Sequence, residues 1–430
     1  MSKALLLYGA TEPESPHFSP DMLWRTGFRA PDPFYCLILY SPSLSRGGQA
    51  SSKTILLVSR LEYARAKKEA RTDRVVLHEG PIAAFLKSER ISRVRIPQSF
   101  PHGLAEELKK RVKVEIIGAA SAKLRRADEV FPERARKTTW EVKEIEKAAR
   151  AVGKAIDKAR TILRKSDFRK SGKSDFVRFE GKVLTSEFLR DMIEGSLFAD
   201  GYLASGTIVS SGKDTAYPHA AGKGPIIAHT PIILDIFPRS KTTNYYADIT
   251  RTLFKSAPSE PMRRMYQAVL DAQEGAIKQV RAGVDASDVY KGVINLFEER
   301  GYPTVYSPPA RQPVRQSFSV GGSFSDGGSG FEGSPEGFIH GLGHGVGLEI
   351  HENPRVGSAH SILEAGNVIT IEPGLYYPVA CHSRESGNPG QVAALIPQCG
   401  IRIEDMLLVT KTGYKVLSPI PKTLKWAVIP

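Results

Sequence analysis

Residues 233–252 read ILDIFPRSKTTNYYADITRT. Asp235 and Asp248 each stand inside a short apolar, strand-like run, and the two runs flank PRSKTTN, which has the composition of a hairpin connection. A carboxylate embedded in an apolar run is costly to bury unless it is paired or metal-bound. The same pattern recurs downstream. Glu372 follows Val368-Ile369-Thr370-Ile371 in VITIEPGLYYP, and Glu404 follows Ile401-Arg402-Ile403 in GIRIEDMLLV.

Any one of these acids is as well read as a satisfied core carboxylate. Four gathered in one half of the chain would repel strongly without cations. Between them in sequence lies HGLGHGVGLEIHENP, residues 340–354, with His340, His344 and His351. Its glycines at 341, 343, 345 and 347 alternate strictly, which fits neither a dinucleotide fingerprint nor a P-loop. HENPR is not the HExxH of a zincin helix either. Alternating glycines let neighbouring backbone or a ligand approach closely, and they predict that His344 is accessible. Oxygen donors with one imidazole suit manganese, cobalt, iron or zinc. Five such ligands suffice for two metals when carboxylates bridge, and two metals about 3.5–4 Å apart can hold and ionise a shared water.

The rest of the chain gives these residues a frame. Its 430 residues suggest two or three domains. Up to about residue 130, strand-like runs (ALLLYGA, FYCLILY, TILLVS, RVVLHE, KVEIIG) alternate with helical candidates (PIAAFLKSERI, GLAEELKKRV), the pattern of an α/β domain. A long helix then opens at KTTWEVKEIEKAARAVGKAIDKARTILRK. Thr138 and Glu141 form a capping-box pattern, and Val142, Ile145, Ala149, Val152, Ile156 and Ala159 form one apolar stripe. The boundary is placed before it, giving domains at 1–135 and 136–430. Further helices are expected at 186–199, 260–282 and 286–300, with Gly283 and Gly301 as stops. Strand-like patterns at 205–255 and 338–415 make the second domain α+β. Three stretches, 41–53, 308–334 and 380–398, read as surface loops.

Composition excludes more than it assigns. The formal net charge is +14, but the basic residues are scattered and no zinc-finger, helix-turn-helix or aromatic RNA-binding signature appears, so no nucleic-acid partner is expected. No apolar run is long enough to span a membrane. Only three cysteines occur, which fits a reducing cytoplasm better than a disulfide framework.

The order Asp, Asp, His, Glu, Glu in LDIFPRSKTTNYYADITRT, HGLGHGVGLEIHE, ITIEPG and GIRIED closely resembles the M24 metallopeptidases. That is the pita-bread fold of methionine aminopeptidase, aminopeptidase P and prolidase. DITRT, HGLGH, EPGLY and GIRIED are most similar to the aminopeptidase P and prolidase branch. The resemblance covers residues 136–430 and, more weakly, an N-terminal domain like that branch's.

It implies a dinuclear exopeptidase that cleaves a peptide bond before proline, either in dipeptides or at the N-terminus of longer peptides. Asp235 would be terminal on one metal, His344 and Glu372 terminal on the other, and Asp248 and Glu404 bridging. The metals implied are manganese first, then cobalt, zinc or iron. His351 would contact the scissile peptide and His340 would line the proline-side pocket. His219 would assist proton transfer or bind substrate, and Arg402 would hydrogen-bond the bridging region. Glu404 or Glu372 would shuttle the proton. The stretch MLWRTGFRAPDPF, with Trp24 and Arg25, resembles a loop that approaches the cleft from a neighbouring subunit, which implies a homodimer.

The two aspartates stand further apart than is usual in that family, a difference a longer hairpin turn can absorb. Two other readings carry different expectations. A non-catalytic pita-bread module would lose metal ligands, and a methionine aminopeptidase would lack the N-terminal domain and GIRIED.

Overall fold

The computed structural model describes residues 3–44, 50–117, 130–171, 174–307, 336–382 and 395–430. The expected loop at 308–334 lies outside the described residues, as does most of 380–398. The described ends of the latter, Cys381–His382 and Leu395–Ile396, pair antiparallel. The chain divides into two compact units between Arg134 and Ala135.

The first unit is built on a six-stranded mixed sheet. From edge to edge it runs Arg74–Leu77, Ala50–Val58, Phe34–Leu44, Lys3–Gly9, Arg93–Ile96 and Lys113–Ile116. The central strand is apolar at consecutive positions because both of its faces are buried. Ala4 and Leu6 pack with Leu37, Ile55 and Val94 under the helices Ile82–Ser88 and His102–Lys109. Leu5 and Leu7 pack on the other side with Ile38, Leu56, Met22 and Ala66, the last two from the helices Pro20–Thr26 and Arg60–Glu69. The result is helices on both faces of a sheet, an α/β unit. Residues 41–53 are not simply a loop: both flanks continue the strands, with Leu44 opposite Ala50, and only 45–49 lie outside the described residues. Within this unit Arg25 donates to Thr54 Oγ1 (3.0 Å) and Ser52 Oγ (2.8 Å), and Trp24 packs on Phe131.

The second unit opens with the helix Thr139–Lys165, whose Thr138–Glu141 capping box forms and whose apolar stripe is buried. Two sheets follow. One orders Ile208–Ser211, Pro231–Ile236, Ile249–Lys255 and Val428–Ile429. The other orders Glu352–Val356, Gly343–Gly345, Val368–Ile371, Asp405–Val409 and Tyr414–Val416. A two-stranded pair, Gly374–Tyr377 with Cys399–Arg402, adjoins them. Helices occupy Ser186–Ala199, Glu260–Gln279 and Ala286–Glu299. The second of these stops short of the expected Gly283. Val280 turns extended, and the amides of Ala282 and Gly283 go instead to the carbonyls of Thr410 (3.1 Å) and Leu363 (2.8 Å).

Candidate metal centre

Asp235 lies opposite Thr250 on adjacent antiparallel strands. Asp248 is two residues before Thr250, so the period of two puts both aspartates on one face of the sheet. The extra length between them is taken up beyond the paired strands. Arg239–Ser240 pairs with Tyr202–Leu203, Asn244 adopts φ 63°, and Arg239 Nη1 donates to Asn244 Oδ1 at 2.7 Å.

His344 sits mid-strand, and its glycine neighbours explain why. A Cβ on Gly343 would lie 2.1 Å from Thr370 O, and one on Gly345 would lie 2.2 Å from Asn353 O. The close approach expected of alternating glycines is made by flanking backbone. The accessibility expected for His344 is therefore wrong: the residue is 4 % exposed. Glu372 follows the adjacent strand, with its amide bonded to Leu342 O at 2.8 Å. Glu404 joins the strands Cys399–Arg402 and Asp405–Val409, and its amide donates to Thr250 O at 3.1 Å.

All five residues converge. Asp235, Asp248 and Glu404 form one set whose possible ligand atoms lie within 4.8 Å of one another; His344, Glu372 and Glu404 form a second, and Asp248, His344 and His351 a third. His344 Nε2 is 3.4 Å from Glu372 Oε1 and 3.6 Å from Asp248 Oδ2. Its Nδ1 is 3.1 Å from the carbonyl of Gly345, which can only accept, so the proton is on Nδ1 and the Nε2 lone pair faces two carboxylates. Burial, and then the charge of His351, push the His344 imidazole down to about 3, so it stays neutral. Burial, then the neighbouring carboxylates, raise Asp248 and Glu404 well above the usual carboxylate range. Burial lifts Glu372 to about 7 against the pull of Arg402. Thr250 Oγ1 donates to Glu404 Oε2 at 2.9 Å, while Glu404 Oε1 is buried with no hydrogen-bond partner among the described residues. A lone pair directed at carboxyl groups beside an orphaned carboxylate oxygen fits divalent cations.

Around the acids runs a chain of donors. Arg402 donates through Nη2 to Asp235 Oδ2 and through Nη1 to Tyr376 Oη at 2.8 Å, and Nη1 also reaches Pro218 O at 3.3 Å. Tyr376 Oη is 3.2 Å from His340 Nε2, and His340 Nδ1 is 2.7 Å from Gly341 O. His340 is held down to about 4, chiefly by burial, so Tyr376 donates to its free Nε2. His340 also packs on Phe338, with ring centroids 5.3 Å apart. His219, next to Pro218, is exposed, and its charge acts on His340. His351 is exposed, and its ring stands at 86° to that of His344 with centroids 4.2 Å apart.

Sequence reasoning missed three residues here. Thr250 was legible, being two residues from Asp248 and hence on its face. Arg355 was legible by the same rule: in the strand Glu352–Val356 burial alternates, so His351, Asn353 and Arg355 share the exposed face, and the Arg355 charge reaches Glu372 and His344. Tyr376 gives no signal beyond a tyrosine in a strand.

A sequence model of metallopeptidase family M24 matches residues 143–411. The Xaa-Pro dipeptidase of Pyrococcus horikoshii is 30 % identical over 379 residues, covering 86 % of this chain and 85 % of that one. Among solved structures, the prolidase of Pyrococcus horikoshii OT3 superposes with TM-score 0.69 at 26 % identity, covering 98 % of this chain and 95 % of that chain. The X-Pro aminopeptidase of Thermotoga maritima has TM-score 0.67 at 21 % identity, over 97 % of this chain and 96 % of that one, a likeness of fold alone. The two sheets and their converging acids are thus those of a metal-dependent peptidase with the pita-bread fold. The chain belongs to metallopeptidase family M24. No described helix is long and apolar enough to cross a membrane.

Proposed function

We propose that this chain is an exopeptidase that hydrolyses the bond between a residue and a following proline, with a dinuclear centre. The observation that carries the reading is the convergence of Asp235, Asp248, His344, Glu372 and Glu404 in overlapping sets of possible ligand atoms, with His351 in a further set beside them. Asp235 would hold one ion and His344 with Glu372 the other, with Asp248 and Glu404 shared. Divalent ions bound there supply Lewis acidity and lower the pKa of water, and manganese, cobalt, zinc or iron suits the donor set.

The chain's own residues do the rest. His351, exposed beside His344, donates to the oxygen of the scissile carbonyl as charge develops there. Glu372 or Glu404 takes the proton of the attacking water and returns it to the leaving nitrogen. His340, on Phe338 and Tyr376, offers the flat apolar wall an imino ring needs. His219, at the rim beside Pro218, binds substrate or relays a proton. Arg402 fixes the orientation of Asp235 and Tyr376.

Substrate length rests on a different residue. Arg355 shares the open strand face with His351 and is suited to a substrate's terminal carboxylate, which favours dipeptides. A homodimer is part of this reading, motivated by the resemblance of the stretch around Trp24 to a family loop. So is a cytoplasmic location, supported by the sparse cysteine content and the buried free thiol of Cys36.

The test is an assay of chelator-stripped protein on Xaa-Pro dipeptides and an Xaa-Pro-Yaa tripeptide, with manganese, cobalt or zinc added back. Metal-restored cleavage, faster on the dipeptide, is expected. A protein that binds two ions and cleaves neither substrate overturns the reading. Sedimentation as a monomer at micromolar concentration removes the dimer.

A further inference from the structure

His351 ends a short irregular turn that leaves the strand Gly343–Gly345 and enters Glu352–Val356. The next side chain, Glu352, points inward and forms an ion pair with Lys137, just ahead of the long helix. The two side chains are 0 % and 1 % exposed. Lys137 is itself anchored: its amide donates to Gly366 O at 2.7 Å and its Nζ reaches Ala135 O at 3.3 Å.

The turn is folded around the Glu352 carboxylate. Oε2 accepts from the Glu349 amide at 3.4 Å. Gly347 leaves the carboxylate its room, since a Cβ there would lie 2.5 Å from Oε1. Gly347 O accepts from the Tyr246 amide at 2.9 Å, which ties the start of the turn to the aspartate hairpin. An apolar pair of similar volume would stabilise a core as well as a buried ion pair does, or better. Stability alone therefore gives no reason for charge at this place. A carboxylate that gathers a turn from inside does, and it needs a cation beneath it.

We infer that Lys137 is a positioning residue for the reaction: acting through Glu352, it holds the His351 turn so that the His351 imidazole stands against His344. This rests on the proposed role of His351. It assigns no new ligand to the metals, and it predicts a defect in chemistry without loss of metal.

The experiment uses the full chain loaded with metal. Lys137→Met alone strands a buried carboxylate and can unfold the protein. It is therefore paired with Lys137→Met/Glu352→Gln, which removes both charges, and with Lys137→Arg, which keeps the charge but alters its reach. Each is made with and without His351→Ala. Metal content, melting temperature, kcat and KM on an Xaa-Pro dipeptide are measured. The double variant and Lys137→Arg are expected to keep wild-type metal content and fold, to lose about tenfold to a hundredfold in kcat with KM little changed, and to lose little more when His351→Ala is added. Unchanged kcat, or a His351→Ala loss that is as large in these backgrounds as in the wild type, overturns the inference alone. A His351→Ala enzyme with wild-type kcat overturns the catalytic reading of His351 as well.

Discussion

Thr250 and Glu404 meet twice. The threonine hydroxyl donates to Glu404 Oε2 at 2.9 Å, and the Glu404 amide donates to the threonine carbonyl at 3.1 Å. One contact aims the carboxylate, and the other fastens the segment that carries it to the aspartate sheet. Thr250→Val keeps the shape and the backbone contact but removes the hydroxyl. Metal affinity is expected to fall about 10- to 100-fold, as for other residues that orient ligands, measured by calorimetric titration of stripped protein. Unchanged affinity would show that the backbone contact suffices.

Asp248→Asn removes an ionisable carboxyl from a crowded, buried set in which ionisation is costly. Metal-free protein should melt higher by about 2 °C or more, since each kcal/mol of relieved repulsion is worth about that much. Hydrolysis should fall at least about a hundredfold through the loss of a metal ligand. A lower melting temperature in the stripped variant would show that Asp248 is well satisfied without cations.

The Glu372 carboxyl is raised from 4.5 to about 7 in the metal-free protein. A raised carboxyl favours the folded state while it is protonated. That contribution is whole below its unfolded value of 4.5 and is lost as pH climbs to about 7. Compared with Glu372→Gln, stripped wild-type protein should lose melting temperature across this window. Metal binding must displace the proton, so apparent affinity should rise across the same window. Parallel melting curves for the two proteins would contradict the shift.

Arg251 is fully buried behind the centre. It donates to Asp405 Oδ1 (2.6 Å), Glu404 O (2.6 Å) and Ile420 O (2.7 Å). Lys422 and Gln273 hold the other Asp405 oxygen at 2.7 and 3.1 Å. Arg251→Met leaves this network short of one cation and should cost about 3–5 kcal/mol in urea unfolding. A loss under about 1 kcal/mol would mean that Lys422 alone neutralises Asp405.

Arg355→Ala tests substrate length. A lost charge-assisted contact is worth about 1.5–3 kcal/mol, so kcat/KM on an Xaa-Pro dipeptide should fall about 10- to 100-fold, while an Xaa-Pro-Yaa tripeptide amide is spared. Equal losses on both substrates would remove Arg355 from carboxylate recognition.

Local pattern disclosed part of this molecule. Acids in apolar runs marked the residues that the sheets bring together, because alternation along a strand fixes which side chains share a face. The strand Arg93–Ile96 is absent from the expected runs, although its alternating arginines suit a half-buried strand and Val94 and Ile96 are buried under the helices of the first unit. Alternation also misled. The alternating glycines around His344 suggested openness, although the space they leave is filled by the carbonyls of Thr370 and Asn353. The Lys137–Glu352 pair had no local signal at all, since its partners are 215 residues apart and each alone is an ordinary surface residue type. The loop expected at 308–334 stays an expectation, because it lies outside the described residues.

The side chains proposed as ligands come from two sheets, and the segment that supplies Glu404 is fastened to Thr250 of the other. No short piece of the chain carries more than a fragment of the centre. With that ligand set, high-affinity metal uptake would wait until the whole stretch from Asp235 to Glu404 had found its place. A nascent chain still emerging from the ribosome, or one nicked between the sheets and come apart, would present scattered carboxylates with little hold on an ion. On the proposed ligand set, metallation would report completed folding, and an unfinished or broken chain would lack the centre that hydrolysis needs.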